Sequence, residues 1–216
     1  ALPLLTADQV VAEAQQDTDR GLAFRYALKA LNPFAVIGAD YQGLGHASNG
    51  QLTLFDPATG FGELTPQYLA DRAAFLDAKI ELNLVNDQTS GDTIHYKDFV
   101  GEGYEIRTGS ILTTDRQFLF GFDGDDVAGM LVGQNKDDHL YGGAGNDVLE
   151  GQGGNDYLEG NADDDHLFGG TGRDELYGQQ GDDELDGGTG ADTLDGGLDN
   201  NILKGGEGLD RYISNF

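Results

Sequence analysis

The sequence predicts a mainly β chain, with a region of short repeated strands over residues 120–216 preceded by a small α+β domain over residues 1–119 that caps or flanks it. Three observations predict this. Glycine makes up 35 of the 216 residues, more than twice its usual share of about 7%, which excludes an ordinary helical bundle. A nine-residue period runs without insertion from Gly133 to Ile213, and a fixed period is the mark of a repeat architecture. The charge divides in the same place, with 16 acidic and 8 basic side chains in residues 1–119 and 23 and 4 in residues 120–216.

In chain order, Thr6 and Gln9 form a capping-box signal ahead of ADQVVAEAQQ, which predicts a helix over 7–16. A second helix is predicted over 20–31, where Leu22, Phe24 or Tyr26, Leu28 and Leu31 recur at helical spacing until Asn32-Pro33 stops it. Short strands follow at 34–37 and 52–55. Thr65 as cap and Pro66 at the first helical position open the clearest helix, which runs through Leu69, Ala73, Leu76 and Ile80. After a polar loop at 86–92, strand-like pieces at 93–96, 104–107 and 117–120 lead into the repeats.

The repeats are GQNKDDHLY, GGAGNDVLE, GQGGNDYLE, GNADDDHLF, GGTGRDELY, GQQGDDELD, GGTGADTLD, GGLDNNILK and GGEGLDRYI. Position 1 is always glycine, position 6 is Asp except for Asn201, and position 8 is Leu except for Tyr212. Glycine supplies the positive φ and close backbone approach of a tight loop around an ion. One apolar residue per short strand stacks inward while positions 7 and 9 point outward. The chain has no cysteine, so disulfides, thiolate zinc sites and thiol nucleophiles are absent, and a hard oxygen-seeking cation is the obvious staple. A formal charge of -27 opposes compaction and argues against nucleic acid or anionic membrane as partners. No apolar run approaches the roughly 20 residues of a membrane span.

These nonapeptides resemble the RTX repeat, GGxGxDxUx, of calcium-binding proteins that Gram-negative bacteria export by type I secretion. The resemblance implies a calcium-loaded parallel β-roll in which each right-handed turn uses two nonapeptides, GGxGxD forming a loop and xUx a short strand. It implies further that Ca²⁺ lies between loops 18 residues apart, held by both position-6 side chains, the carbonyls of positions 2 and 4 of one loop, and those of positions 1 and 3 of the loop one turn on. Carried over, the side-chain ligands are Asp138, Asp147, Asp156, Asp165, Asp174, Asp183, Asp192, Asn201 and Asp210. The backbone ligands are Gly143, Gly145, Gly151, Gly153, Gly154, Gly160, Ala162, Gly169, Gly170, Thr171, Gly172, Gly178, Gln180, Gly181, Gly187, Gly188, Thr189, Gly190, Gly196, Leu198, Gly205 and Glu207.

Loops beginning at 133, 151, 169, 187 and 205 line one edge and those at 142, 160, 178 and 196 the other, giving up to seven sites. Seven calcium ions take the formal charge from -27 to -13, so the metal is a folding partner. The neutral Asn201 predicts weaker binding between the loops at 178 and 196. Lys136, Asp163 and Asp199 replace the position-4 glycine; Asp tolerates a left-handed backbone better than Lys, which weakens the site that uses Lys136. Gly121 to Gly129, with Gly124-Asp125-Asp126 three residues out of phase, is either a degenerate first loop or the lead-in.

The function expected from the resemblance is that of the C-terminal region of a secreted or cell-surface protein, with calcium and the type I secretion machinery as partners. Unfolded at low cytosolic calcium, where its composition is that of a disordered acidic tail, it folds outside the cell, assisting export and stabilising its parent. The stretches GLAFRYALKALNPFAVIGADY and GQLTLFDPATGFGELTPQYLADRAAFL look like the segment that joins a lipase-like region to the repeats in large secreted RTX proteins. The start at Ala1 and the absence of a family-type secretion signal at Phe216 lead us to expect a parent that extends beyond both.

No catalytic residue is predicted. The nearest text to a GxSxG elbow, Gly45 to Gly50, places His46 where the first glycine belongs, and His46 or His95 with Asp40 or Asp98 reads as surface pairing. Two alternatives stand beside the main reading. One is an adhesin-like module for an unidentified extracellular ligand, and the other a fragment that is a hydrolase or cleaves itself at Asp56-Pro57 on calcium binding. Aromatics gather at the outward positions of the first turns, including His139, Tyr141, Tyr157, His166 and Phe168; such a cluster marks a docked partner, for which the N-terminal half is the nearest candidate. His139 and His166 are expected to pack there rather than to bind metal.

Overall fold

One inward leucine every nine residues, flanked by glycines that let the chain turn, is a pattern that a single strand pair cannot bury but a stack of turns can. The computed structural model describes residues 5–16, 24–25, 27–28, 54–56, 59, 62, 64–84, 94–98, 104–108, 116–121, 126 and 131–213. The chain divides into two units, Ala1–Asp87 and Gln88–Phe216.

In the first unit, helix α1 (Ala7–Ala14) opens on a complete capping box, in which the Gln9 N–H donates to Thr6 Oγ1 at 3.3 Å and the Thr6 N–H to Gln9 Oε1 at 2.9 Å. It buries Val10 and Ala14. The described residues of the second expected helix, 24, 25, 27 and 28, are helical, and Phe24, Ala27 and Leu28 are buried. Helix α2 (Pro66–Leu84) is capped by Thr65, whose Oγ1 accepts the Tyr68 N–H at 3.0 Å, and buries Leu69, Ala73, Phe75 and Leu76. Two buried arginines tie the helical segments together through backbone carbonyls: Arg25 donates to Ala14 and Gln16, at the end of α1, and Arg72 to Leu28. Leu54 bridges Leu64 in parallel. The strand expected at 34–37 and the stretch Gly45 to Gly50, with His46 and Asp40, lie outside the described residues.

The second unit is a parallel β-solenoid of about five turns. Its strands are β1 (Ile94–Asp98), β2 (Tyr104–Thr108), β3 (Arg116–Phe120), β4 (Leu131–Val132), β5 (His139–Ala144), β6 (Val148–Gly153), β7 (Tyr157–Ala162), β8 (His166–Thr171), β9 (Glu175–Gln180), β10 (Glu184–Gly190), β11 (Thr193–Asp195), β12 (Ile202–Gly208) and β13 (Arg211–Ile213). From β3 on they alternate between two sheets, ordered β13-β11-β9-β7-β5-β3-β1-β2 and β12-β10-β8-β6-β4. All pairings are parallel except β1 with β2, which closes one end of the larger sheet. The β1 to β3 strands thus extend the repeat sheet, and the expected division at 119/120 falls inside this unit.

Between the sheets, Leu119, Leu131, Leu140, Leu149, Leu158, Leu167, Leu176, Leu185 and Leu194 form one buried column, with Leu203 partly buried against it. Each buried leucine contributes ~1.5–3 kcal/mol of burial, and the column fixes the 18-residue register, for example Leu140 on Leu158 on Leu176. Most strands run beyond xUx through positions 1 to 3 of the next repeat, because pairing continues there, as between Gly143 and Asn161. The loop proper is correspondingly shorter than GGxGxD.

Candidate metal centre

The loops are shaped by backbone handedness at positions 2 and 4. Positive φ is carried there by glycines such as Gly143 (φ 115°), Gly145 (φ 108°) and Gly172 (φ 131°), and also by Gln152, Asn161, Asp163, Gln179 and Asp199. Asp163 and Asp199 adopt the left-handed backbone as expected, whereas Lys136 is not among the residues with positive φ. The first loop therefore departs from the common shape at the position where lysine replaces glycine. Close stacking adds a second requirement: a Cβ on Gly172 would stand 1.6 Å from the Gly154 carbonyl oxygen.

The position-6 carboxylates do two jobs with two oxygens. Oδ1 accepts the backbone N–H of the position-6 residue one turn back, so that Asp138, Asp156 and Asp174 donate to Asp156, Asp174 and Asp192 at 2.8, 2.8 and 2.9 Å. On the other edge Asp147 and Asp165 donate to Asp165 and Asp183 at 2.8 and 2.9 Å. Oδ2 turns toward the position-1 glycine of its own loop. A Cβ on Gly151 would lie 2.5 Å from Asp156 Oδ2 and 2.6 Å from the Gly169 carbonyl oxygen, so glycine holds open a cradle bounded by a carboxylate and a carbonyl of the next turn.

Among the described residues, Oδ2 of Asp156, Asp165, Asp174, Asp183 and Asp192 is buried and has no hydrogen-bond donor. Five negative oxygens shielded from water are expensive unless a cation meets them. Burial, the largest cause, pushes Asp156 up to about 8 and Asp165 up to about 9; the backbone N–H bond opposes the rise and carboxylates of adjacent turns add to it. Asp138, Asp174 and Asp183 are raised to about 6, again chiefly by burial. An oxygen-only lining with uncompensated negative charge fits a hard divalent cation such as Ca²⁺. Among the described residues no three His, Cys, Asp or Glu side chains gather into a metal cage, so a cation between turns would draw on two position-6 side chains plus backbone carbonyls.

The ends of the ladders differ from the interior. Asp138 Oδ2 accepts the Gln134 N–H at 2.6 Å. Asn201 Oδ1 accepts the Asp183 N–H at 2.8 Å, while its Nδ2 donates to the Leu198 carbonyl at 2.7 Å. Asp210, at the other terminal loop, accepts the Asp192 N–H at 3.2 Å.

Two features go beyond what the sequence settled: the stretch from Gly121 to Gly129 was left open as a degenerate first loop or the lead-in, and position 5 was not singled out. Asp126 stands in the ladder: it is fully buried, and its N–H donates to Asp147 Oδ1 at 2.7 Å. A Cβ on Gly121 would meet Asp126 Oδ2 and the Gly142 carbonyl, so Gly121 and Asp126 take positions 1 and 6 of a further loop. Three extra residues between Asp126 and Leu131 hid the phase. The second feature is a ladder at position 5, where Asp137, Asn155, Asp164 and Asp182 each accept the N–H one turn on at 2.8 to 2.9 Å. The Asp and Asn residues at that position were its visible trace.

The outward histidines take different surroundings. His139 packs between Phe118 and Tyr157, with ring centroids 4.9 and 5.4 Å away, whereas His166 is exposed, 3.9 Å from Glu184. On the same face as His139, Tyr141 and Glu159 are buried, and Phe120, Tyr141, Tyr157 and Tyr177 continue an aromatic stripe across β3, β5, β7 and β9. On the smaller sheet Phe168 is exposed. Asp56 accepts hydrogen bonds from Thr59 as a turn residue does.

Residues 130–158, 159–194 and 186–215 match the family described as RTX calcium-binding nonapeptide repeat (4 copies). No curated protein matches the chain. The match and the doubled ladder of buried carboxylates coincide over the same residues, and residues 130–215 carry RTX calcium-binding nonapeptide repeats, a structural calcium-binding module.

Proposed function

We propose that this chain is the calcium-operated region of a protein exported from a Gram-negative bacterium by type I secretion, unfolded inside the cell and folding on calcium outside it. The observation that carries the reading is the set of buried Oδ2 atoms without donors on Asp156, Asp165, Asp174, Asp183 and Asp192. A roll that depends on a cation for these oxygens stays open where calcium is scarce and closes where it is abundant. The residues that would hold the ion between successive turns are the position-6 pair with carbonyls of positions 2 and 4 below and 1 and 3 above, for instance Gly143, Gly145 and Asp147 with Gly160, Ala162 and Asp165. Calcium supplies positive charge there; the chain supplies oxygens, spacing and exclusion of water.

Among the described residues no helix is long and apolar enough to cross a membrane, which is compatible with an exported role. The resemblance of the N-terminal half to the segment ahead of RTX repeats in lipase-like proteins supports an accessory region with no hydrolase chemistry of its own. A far-UV circular dichroism titration with calcium, reversed by chelator and paired with intact mass, tests the reading. A cooperative gain of strand signal at constant mass is expected. Unchanged spectra with no bound calcium would refute it.

A further inference from the structure

We infer that Asn201 closes the gap between the loops at 178–183 and 196–201 in place of a calcium ion, so that the last turn on this edge is fastened without metal. The inference rests on the proposed calcium role of the interior gaps and marks where that role stops.

At Asp165 and Asp183, on the same edge, the second carboxylate oxygen is buried and lacks a donor. At residue 201 the equivalent atom is an amide nitrogen. The Asp183 N–H requires an acceptor, which sets Oδ1 toward it and turns Nδ2 the other way. Nδ2 then donates to the Leu198 carbonyl at 2.7 Å. That carbonyl, at position 3, is one of the oxygens expected to face the ion. Interior position-3 carbonyls accept a backbone N–H, as Ala162 does from Gly145 and Thr171 from Gly154; at Leu198 the donor is the position-6 amide itself, whose partial positive charge stands where the interior loops have a carboxylate oxygen. The gap also has one formal charge where the interior gaps have two, and that charge, on Asp183, is shared with the gap below through the Asp165 N–H.

Hydrogen bonds do the remaining fastening. The Leu198 N–H donates to the Gln179 carbonyl at 2.7 Å. Asn200 donates through its N–H and its side-chain Nδ2 to Asp182 Oδ1 at 2.9 and 3.2 Å, and the Lys204 ammonium pairs with Asp186. Asn201 is thus a side chain that performs both the carboxylate's structural role and the cation's.

The test is a count of bound calcium per chain, by equilibrium dialysis with elemental analysis, on the full chain and the variants Asn201→Asp and Asn201→Ala. Asn201→Asp restores an oxygen without a donor and is expected to bind one more ion than the parent. Asn201→Ala is expected to bind the same number as the parent and to melt at a lower temperature in calcium. An unchanged count in a folded Asn201→Asp, or the loss of one ion in Asn201→Ala, overturns the inference. Should Asn201→Asp fail to fold, the Asn201→Ala count decides. A parent chain that binds no calcium overturns the calcium reading itself and this inference with it, an outcome distinct from the others.

Discussion

Interior and terminal loops of the roll share one nine-residue frame and complete it differently. In the interior, Asp156, Asp165, Asp174, Asp183 and Asp192 each keep one buried oxygen without a donor. At the ends, Asp138 satisfies that oxygen with the Gln134 N–H, and Asn201 replaces it with a donor of its own. The interior is therefore built to need a cation, while the loops of Asp138 and Asn201 close the same position with a hydrogen bond. A repeat protein stacks by nearest-neighbour contact and needs terminal units that differ from the rest; here the difference lies in the hydrogen bonding of one side chain per loop.

The largest effect should come from removing the interior carboxylates of one edge. Changing Asp156, Asp174 and Asp192 together to Ala is expected to raise the calcium midpoint of the circular dichroism transition at least tenfold or abolish it. A triple variant that binds calcium as fully as the parent would erase the distinction between interior and end.

Next in size is the response to pH. The folded-state values of Asp156, about 8, and Asp165, about 9, lie above the unfolded Asp value of about 3.9. Protonation therefore favours the calcium-free roll: the contribution is full below about pH 4 and is lost as pH rises through the folded-state values. In chelator, strand signal is expected to grow as pH falls from 9 to 5, while calcium affinity weakens over the same interval. A calcium-free spectrum that does not respond to acid would contradict the burial of these groups.

A smaller and local effect is expected at position 4. Gly172→Ala places a Cβ at positive φ against the Gly154 carbonyl and should lower stability in calcium by about 1–3 kcal/mol, read as a fall in melting temperature. Lys136→Ala, in a terminal loop whose backbone is not left-handed there, should change it by less than about 0.5 kcal/mol. A comparably small effect belongs to Lys204→Ala in the last turn. Its pair with Asp186 is largely exposed, and such pairs contribute about 0.2–1 kcal/mol.

Much of this was legible in the sequence because the repeat imposes one environment nine times. Leu140 through Leu203 and the position-6 carboxylates announce themselves by spacing alone. Leu119 and Asp126 occupy the same environments but lie beyond a three-residue insertion that strict phase does not cross, whereas Leu131 stands nine residues before Leu140. Left-handed Gln152 and Gln179 were invisible for another reason: glutamine carries no local preference for that backbone, unlike the asparagine at 161. Thr65, Pro66 and the Thr6–Gln9 box, by contrast, act within four residues, and the sequence located both helices.

The aromatic stripe has a practical consequence. The chain has nine tyrosines and no tryptophan, and Tyr157 lies with ring centroids 6.1 Å from Tyr141 and 5.3 Å from Tyr177. Three phenols from three successive turns, held at fixed mutual tilt, share their electronic transitions only while those turns are stacked. Their near-ultraviolet dichroism is thus an intrinsic optical gauge of closure in the first turns, separable from the backbone signal and requiring no label.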